Sequence, residues 1–501
     1  MSEISETKEE SPAIISEGKG EDSRTPSLFD AIIPALVLMA LLSASVYFYG
    51  DSSSSGANQI ALILTAAVAA AIGIKNGYSW DEIEDGIKSG IVIALKAIMI
   101  LFSVGSLIGA WIMSGTVPSM IYYAVQLLDP AWFYPAACLI CAIVALCIGS
   151  SWTVAGTIGI GFIGAATVLD LSLAATAGAV ISGAYFGDKM SPLSDTTNLA
   201  AAAANTDLFT HIRHMLWTTT PSFIIALILF TWVGSQHTSG GELDTLNSTM
   251  QALEGQFTIG LYLLLPLAVV FALAYKQFPV IPSIWAGIML GLVFAVIFQA
   301  DSVIAMGASE NLGDALQMLK GSWTVLFDGY KSTTGDSNID DLLSRGGMSS
   351  MLNTVWLIIC AMIFSAIMEK TGILARLVNS LINLASNTGS LIFTTVCTGI
   401  GVNLVSSDQY IAVVIPGRMY QLEFEKRGLA PQNLSRAIED SATITSPLIP
   451  WNTCGVFMAG TLGVATFAYL PFCFFNLLSP VITTIYGFTN FKITPLEQAQ
   501  A

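Results

Sequence analysis

Two short polar runs interrupt an otherwise apolar sequence and concentrate side chains able to hold a cation. The first, Gly187-Asp188-Lys189-Met190-Ser191-Pro192-Leu193-Ser194-Asp195-Thr196-Thr197-Asn198, brings carboxylates, hydroxyls, an amide and a proline that frees backbone carbonyls. Oxygen donors of these kinds suit a hard monovalent ion such as Na+ and give no reason to expect a transition metal. A carboxylate that also accepts a proton lets H+ and Na+ compete for one site, the minimum requirement for exchange. Asp195, just past Pro192 and between hydroxyls, is the first candidate for that group and Asp188 the second. In the competing structural reading, Asp188 and its neighbour Lys189 form a buried ion pair. Ser194, Thr196, Thr197 and Asn198 are the accompanying ligand candidates.

The second run is Glu439-Asp440-Ser441-Ala442-Thr443-Ile444-Thr445-Ser446-Pro447-Leu448-Ile449-Pro450-Trp451-Asn452-Thr453. Here Asp440 is expected as a second proton carrier or ligand, with Glu439 at the cytoplasmic rim and Asn452 and Thr453 as coordinating groups. Each run is preceded by a serine pair. Ser150 and Ser151 stand upstream of the first; Ser406 and Ser407, followed by Asp408, stand upstream of the second. Asp408 is a further ion or proton candidate, and Trp152 holds its place in the first half. Ser150 to Ser191 spans 41 positions and Ser406 to Ser446 spans 40, each ending in Ser-Pro-Leu. Two matched pairs in the same order indicate an internal duplication. Broken helices at corresponding positions point to a midplane binding site of a secondary transporter, against an alternative of two structural proline kinks.

The elements that must position these groups are membrane helices. Of 501 residues, 54% are hydrophobic and 11% charged, against roughly 25% charged in an average soluble domain. About a dozen apolar stretches are expected to be helical, several approaching the ~20 residues that cross a bilayer and some clearly shorter, such as Ala174 to Phe186 and Tyr410 to Met419. The expected organisation is a disordered acidic cytoplasmic tail (1–27), a first transmembrane repeat (28–234), a connecting loop (235–257), a second repeat (258–490) and a C-terminal tail (491–501). The first 27 residues lack the basic and apolar regions of a cleaved signal peptide. Net charge is −16, part of it in that tail. Cys138 and Cys141 have C-x-x-C spacing but no nearby histidine, so helix packing is expected of them. His211, His214 and His237 are expected at solvent-facing edges, and the glycines 156, 159, 161 and 164 in close helix contacts. Lys96 is alone in an apolar run and is expected to snorkel or to pair with a carboxylate. Walker, HExxH and dinucleotide patterns are absent. The expectation is therefore a non-enzymatic transporter without cofactor or nucleic-acid partner, in a lipid bilayer.

The string Gly187 to Ala200, GDKMSPLSDTTNLA, closely resembles the signature of the NhaC family of Na+/H+ antiporters, and Glu439 to Gly455 is similar to that family's second block. The resemblance covers residues 28 to 490. It implies an all-α polytopic membrane protein of the inner membrane, with two inverted repeats, paired re-entrant hairpins and discontinuous transmembrane helices. It also implies Na+ and H+ as substrates, and a homodimer is plausible in such folds. The pairs Thr197-Asn198 and Asn452-Thr453 are similar to tips that hold sodium and carboxylate in distantly similar transporters. Relatives couple Na+ or H+ to small organic acids or amino acids, including malate/lactate exchange, so that alternative stays open. The segment Ser302 to Gly347 has no assigned role.

Overall fold

The computed structural model describes residues 25–236, 250–251, 253–332, 340 and 343–496. The acidic tail through residue 24, positions 237–249 of the connecting loop with His237, and residues 497–501 lie outside the described residues. What is described is helical, apart from one isolated bridge between Leu429 and Pro495. A helix is the simplest way for an apolar segment to satisfy its own backbone in lipid. Polar residues mark the helix ends. Ser27 and Asp30 form a capping box at the start of Leu28–Tyr49, and Ser79 and Glu82 do so for the 34-residue helix Trp80–Met113.

Among the described residues, nine helices are long and apolar enough to cross a membrane, or ten if the right-angled pair Thr453–Leu462 and Thr466–Phe472 counts as one span. That is fewer than the dozen expected. The short stretches account for the difference: Ala174 to Phe186 lies within one half of a broken span (Leu173–Met190), and Tyr410 to Met419 lies within one arm of a hairpin (Gln409–Lys426).

The same series of elements occurs twice. A pair of apolar helices comes first, Leu28–Tyr49 with Ala57–Lys75, and later Leu261–Tyr275 with Val280–Phe298. A long span follows, Trp80–Met113 or Met348–Lys370. Each long span ends near a glycine in the left-handed region, Gly115 (φ 81°) or Gly372 (φ 72°), which turns the chain into a short helix, Thr116–Leu127 or Ile373–Ile382. Next come a hairpin, a broken span and a closing helix: Phe133–Ile148 through Leu208–Ser235 in one half, Thr388–Ser406 through Phe474–Thr489 in the other.

Contacts between the halves are reciprocal. Ala57–Lys75 packs on the second long span, where Gln59 Nε2 donates to Asn353 Oδ1 at 3.3 Å. Correspondingly, Val280–Phe298 packs on the first, where Trp111 Nε1 donates to the Gly287 carbonyl at 3.1 Å. Equivalent elements that exchange partners in this way are related by a two-fold axis. Between its leading pair and its long span the second series also contains Ala300–Met306 and Asp314–Asp328, which the first series lacks.

Candidate functional site

Each hairpin turns at a residue in the left-handed region, Gly149 (φ 75°) in the first and Ser407 (φ 57°) in the second. The next residue caps the returning helix. Ser150 Oγ accepts from Thr153 N at 3.3 Å, and Asp408 Oδ1 accepts from Tyr410 N and Ile411 N at 2.9 and 3.0 Å. Asp408 thus corresponds in space to Ser150. Trp152, expected in its place, instead stacks on Phe457 with ring centroids 4.1 Å apart. The first tip abuts its break so closely that a Cβ on Gly149 would lie 2.6 Å from the Leu193 carbonyl carbon. At the second, Thr453 N donates to the Ser407 carbonyl at 2.9 Å and Trp451 Nε1 to the Leu404 carbonyl at 2.8 Å. Tips that end at mid-span breaks enter the protein and return, so the hairpins are re-entrant.

The breaks follow from proline. Pro192 disfavours helical backbone at Ser191, which is extended (ψ 130°), and the chain resumes as the helix Asp195–Ala203 after Ser194. Carbonyls around the break accept from side chains. Thr197 Oγ1 donates to the carbonyls of Asp188 and Lys189, at 2.8 and 3.0 Å; Asn198 Nδ2 donates to those of Pro192 and Ser194, at 2.9 and 2.8 Å. In the second break Asn403 Nδ2 donates to the Ala442 carbonyl and Asn476 Nδ2 to the Ile444 carbonyl, while the Tyr469 hydroxyl donates to the Pro447 carbonyl at 2.6 Å. Asn452 caps Thr453–Leu462, accepting from Cys454 N at 3.0 Å. Such bracing lets irregular backbone persist at membrane depth.

A cavity of about 630 Å³ connects the two tips and the two breaks. Its lining includes Ser150, Ser151, Asp188, Asp408 and Thr453, with Asp195 and Lys96 also on its wall. Asp188 is the hub on the first-repeat side. It is 7% exposed and accepts from Ser151 Oγ at 2.6 Å and Ser194 Oγ at 2.5 Å; Ser194 Oγ is 3.0 Å from Thr196 Oγ1. One carboxylate and three hydroxyls from a hairpin tip and a break are therefore gathered beside a cavity.

The other carboxylates fall in different surroundings. Asp195 has a side chain 66% exposed and paired with Lys96 at 3.2 Å, which gives the lone lysine of the apolar run its partner. Asp440 is fully buried and bonded to Lys189 and Thr483, off the cavity wall. The competing reading of an Asp188–Lys189 pair is thereby set aside, since Lys189 pairs with Asp440. Adjacent residues on a helix point about 100° apart, and Lys189 turns across the repeat boundary to Asp440 while Asp188 turns to the cavity. Glu439, expected at the rim, is fully buried, because the helix carrying it is enclosed by both repeats. His211 and His214 are buried as well, against the expected exposure; His211 Nδ1 is 2.7 Å from Ser435 Oγ where their two helices pack. Ser406 Oγ donates to the Asp408 carbonyl at 3.2 Å, and the buried Ser407 hydroxyl has no protein partner.

Asn403, Gln409 and Tyr410 were not singled out by sequence. Gln409 accepts from Ser446 Oγ at 2.8 Å and Cys454 Sγ at 2.7 Å, tying the second tip to its break. An amide within the apolar run leading to Ser406 was the available signal for Asn403.

A family model described as the Na+/H+ antiporter family matches residues 183–491, more than half of the chain. The chain belongs to that family. An Na+/H+ antiporter NhaC of Alkalihalophilus pseudofirmus is 38% identical over 91% of this chain and 94% of its own length. The arginine/ornithine antiporter ArcD of Halobacterium salinarum is 34% identical, over 94% of both chains. A malate-2H+/Na+-lactate antiporter of Bacillus subtilis is also 34% identical, over 94% of this chain and 96% of its own. This antiporter-family chain is a multi-pass protein of the cell membrane, and the family block takes in both breaks and the second hairpin.

Proposed function

We propose that the protein exchanges Na+ for H+ at a site centred on Asp188. The observation that carries this reading is the placement of one buried carboxylate, reached from a cavity, among the hydroxyls of Ser151, Ser194 and Thr196. Ionised Asp188 and those oxygens suit a desolvated Na+; protonated Asp188 retains a hydrogen-bonded place without the ion. One carboxylate holding either a proton or Na+ makes the two mutually exclusive and couples their movement. The re-entrant tips and broken spans provide paired elements that can rock about the site to expose it alternately. Asp195 and Lys96 act at the cavity wall, where their charges bias cation entry, while Asp408 orders the second tip.

A second reading is favoured by the cavity itself. Its volume falls in the range of small-molecule pockets, roughly 300–1,000 Å³, and Trp152, Tyr410, Asn198 and Lys96 line it together. Those groups suit a small organic acid or amino acid, as the names of the malate/lactate and arginine/ornithine relatives suggest. Purified protein in sealed vesicles with a pH-sensitive dye separates the two. Na+-evoked proton movement without organic solute supports exchange, and movement only after adding malate, lactate or an amino acid supports the second reading.

A further inference from the structure

We propose that Glu439, with the hydroxyls of Thr443 and Thr196, forms a second monovalent-cation site set behind Asp188. Glu439 is fully buried, and neither of its carboxylate oxygens meets a donor in good hydrogen-bonding geometry. The Thr443 hydroxyl is also buried without a partner. Both belong to the π-helical turn Glu439–Thr443, the kind of local widening that recurs at functional sites. Neighbouring hydroxyls behave differently: Ser441 Oγ donates to the Ala437 carbonyl and Thr445 Oγ1 to the Ser441 carbonyl, each at 2.6 Å. Thr443 makes no such bond; its hydroxyl and that of Thr196 are the hydroxyls that act on the Glu439 carboxylate.

The charged groups acting on Glu439 are Asp188 and Lys189. Lys189 is already bonded to Asp440, so the nearby positive charge is shared with another carboxylate. A buried, ionised and unpaired carboxylate is strongly unfavourable. A cation held by the carboxylate and the threonine oxygens removes that cost. One carboxylate and neutral oxygens match a single positive charge, so Na+ suits the group better than a divalent ion. Thr196 also lies 3.0 Å from Ser194 Oγ, which bonds Asp188. The two sites therefore share a hydroxyl bridge across the repeat boundary.

This inference rests on the Na+/H+ exchange reading, and equilibrium binding of radiolabelled Na+ to the purified full-length protein tests the two separately. Wild type is expected to bind two equivalents, and Glu439→Gln and Asp188→Asn one each. Glu439→Gln that retains the wild-type number overturns the second site, including the case in which only proton release changes. Should Glu439→Gln fail to fold, Thr443→Val decides: a rise of about tenfold in the half-saturating Na+ of one equivalent supports the site, and wild-type binding overturns it. A wild type that binds no Na+ overturns the exchange reading itself.

Discussion

Lys189 in the first broken span is bonded to Asp440 in the second, with both side chains fully buried. The bond links the two repeats directly beside the Asp188 site. Removing one partner leaves an uncompensated buried charge, which costs about 3–5 kcal/mol. Lys189→Met is therefore expected to lower the unfolding temperature in detergent markedly, and Lys189→Met with Asp440→Leu to recover most of it. A double variant no more stable than the single one contradicts the pairing.

Gly149→Ala is expected to impair both stability and exchange. The position combines positive φ with a space closed by Leu193 and Ser194, so an added methyl meets backbone at 2.6 to 2.8 Å. Backbone strain alone costs about 1–3 kcal/mol, and the displaced tip moves Ser151 from Asp188. Ser407→Gly at the corresponding second tip is expected to be neutral or slightly stabilising. Thermal unfolding and dye-monitored exchange check both; tolerance of Gly149→Ala counts against the close tip-to-break contact.

These tips also show how far the sequence could be read. Spaced Ser-Ser and Ser-Pro-Leu motifs disclosed two related halves, because proline and clustered hydroxyls interrupt an apolar helix visibly. The correspondence of Ser150 with Asp408 was hidden, since it depends on which residue turns left-handed and which then caps the helix. Asp188 and Asp195 were both legible as candidates, but their surroundings were not. Asp188 meets Ser151 across 37 positions and Asp195 meets Lys96 across 99, and one chain read alone does not display such contacts. Glu439 was misplaced for a similar reason: a charged residue starting a polar run looks peripheral until the helices enclosing it are known.

Thr197→Val removes the donor that serves the Asp188 and Lys189 carbonyls while keeping side-chain size. Unsatisfied buried polar groups cost about 1–3 kcal/mol. Lower thermal stability and a slower turnover are expected, with a smaller effect on apparent Na+ affinity. Unchanged stability would show that the carbonyls at the first break find other donors.

Asp195→Asn and Lys96→Met are expected to leave maximal exchange largely intact. Their pair is exposed, so its influence is electrostatic and screened by salt. The predicted change is in apparent Na+ affinity, weaker for Asp195→Asn and stronger for Lys96→Met, with both differences shrinking at high ionic strength. Abolished exchange in Asp195→Asn at every salt concentration would move the ion-binding role from Asp188 to Asp195.

The most direct test of the central claim is Na+-driven proton movement by Asp188→Asn in sealed vesicles, beside wild type reconstituted at equal density. The amide keeps the size of the side chain and removes its ability to exchange a proton for an ion. Loss of exchange across the pH range in a folded, membrane-inserted variant is the predicted result. Wild-type rates with unchanged dependence on Na+ and pH would contradict the assignment of Asp188 as the shared site.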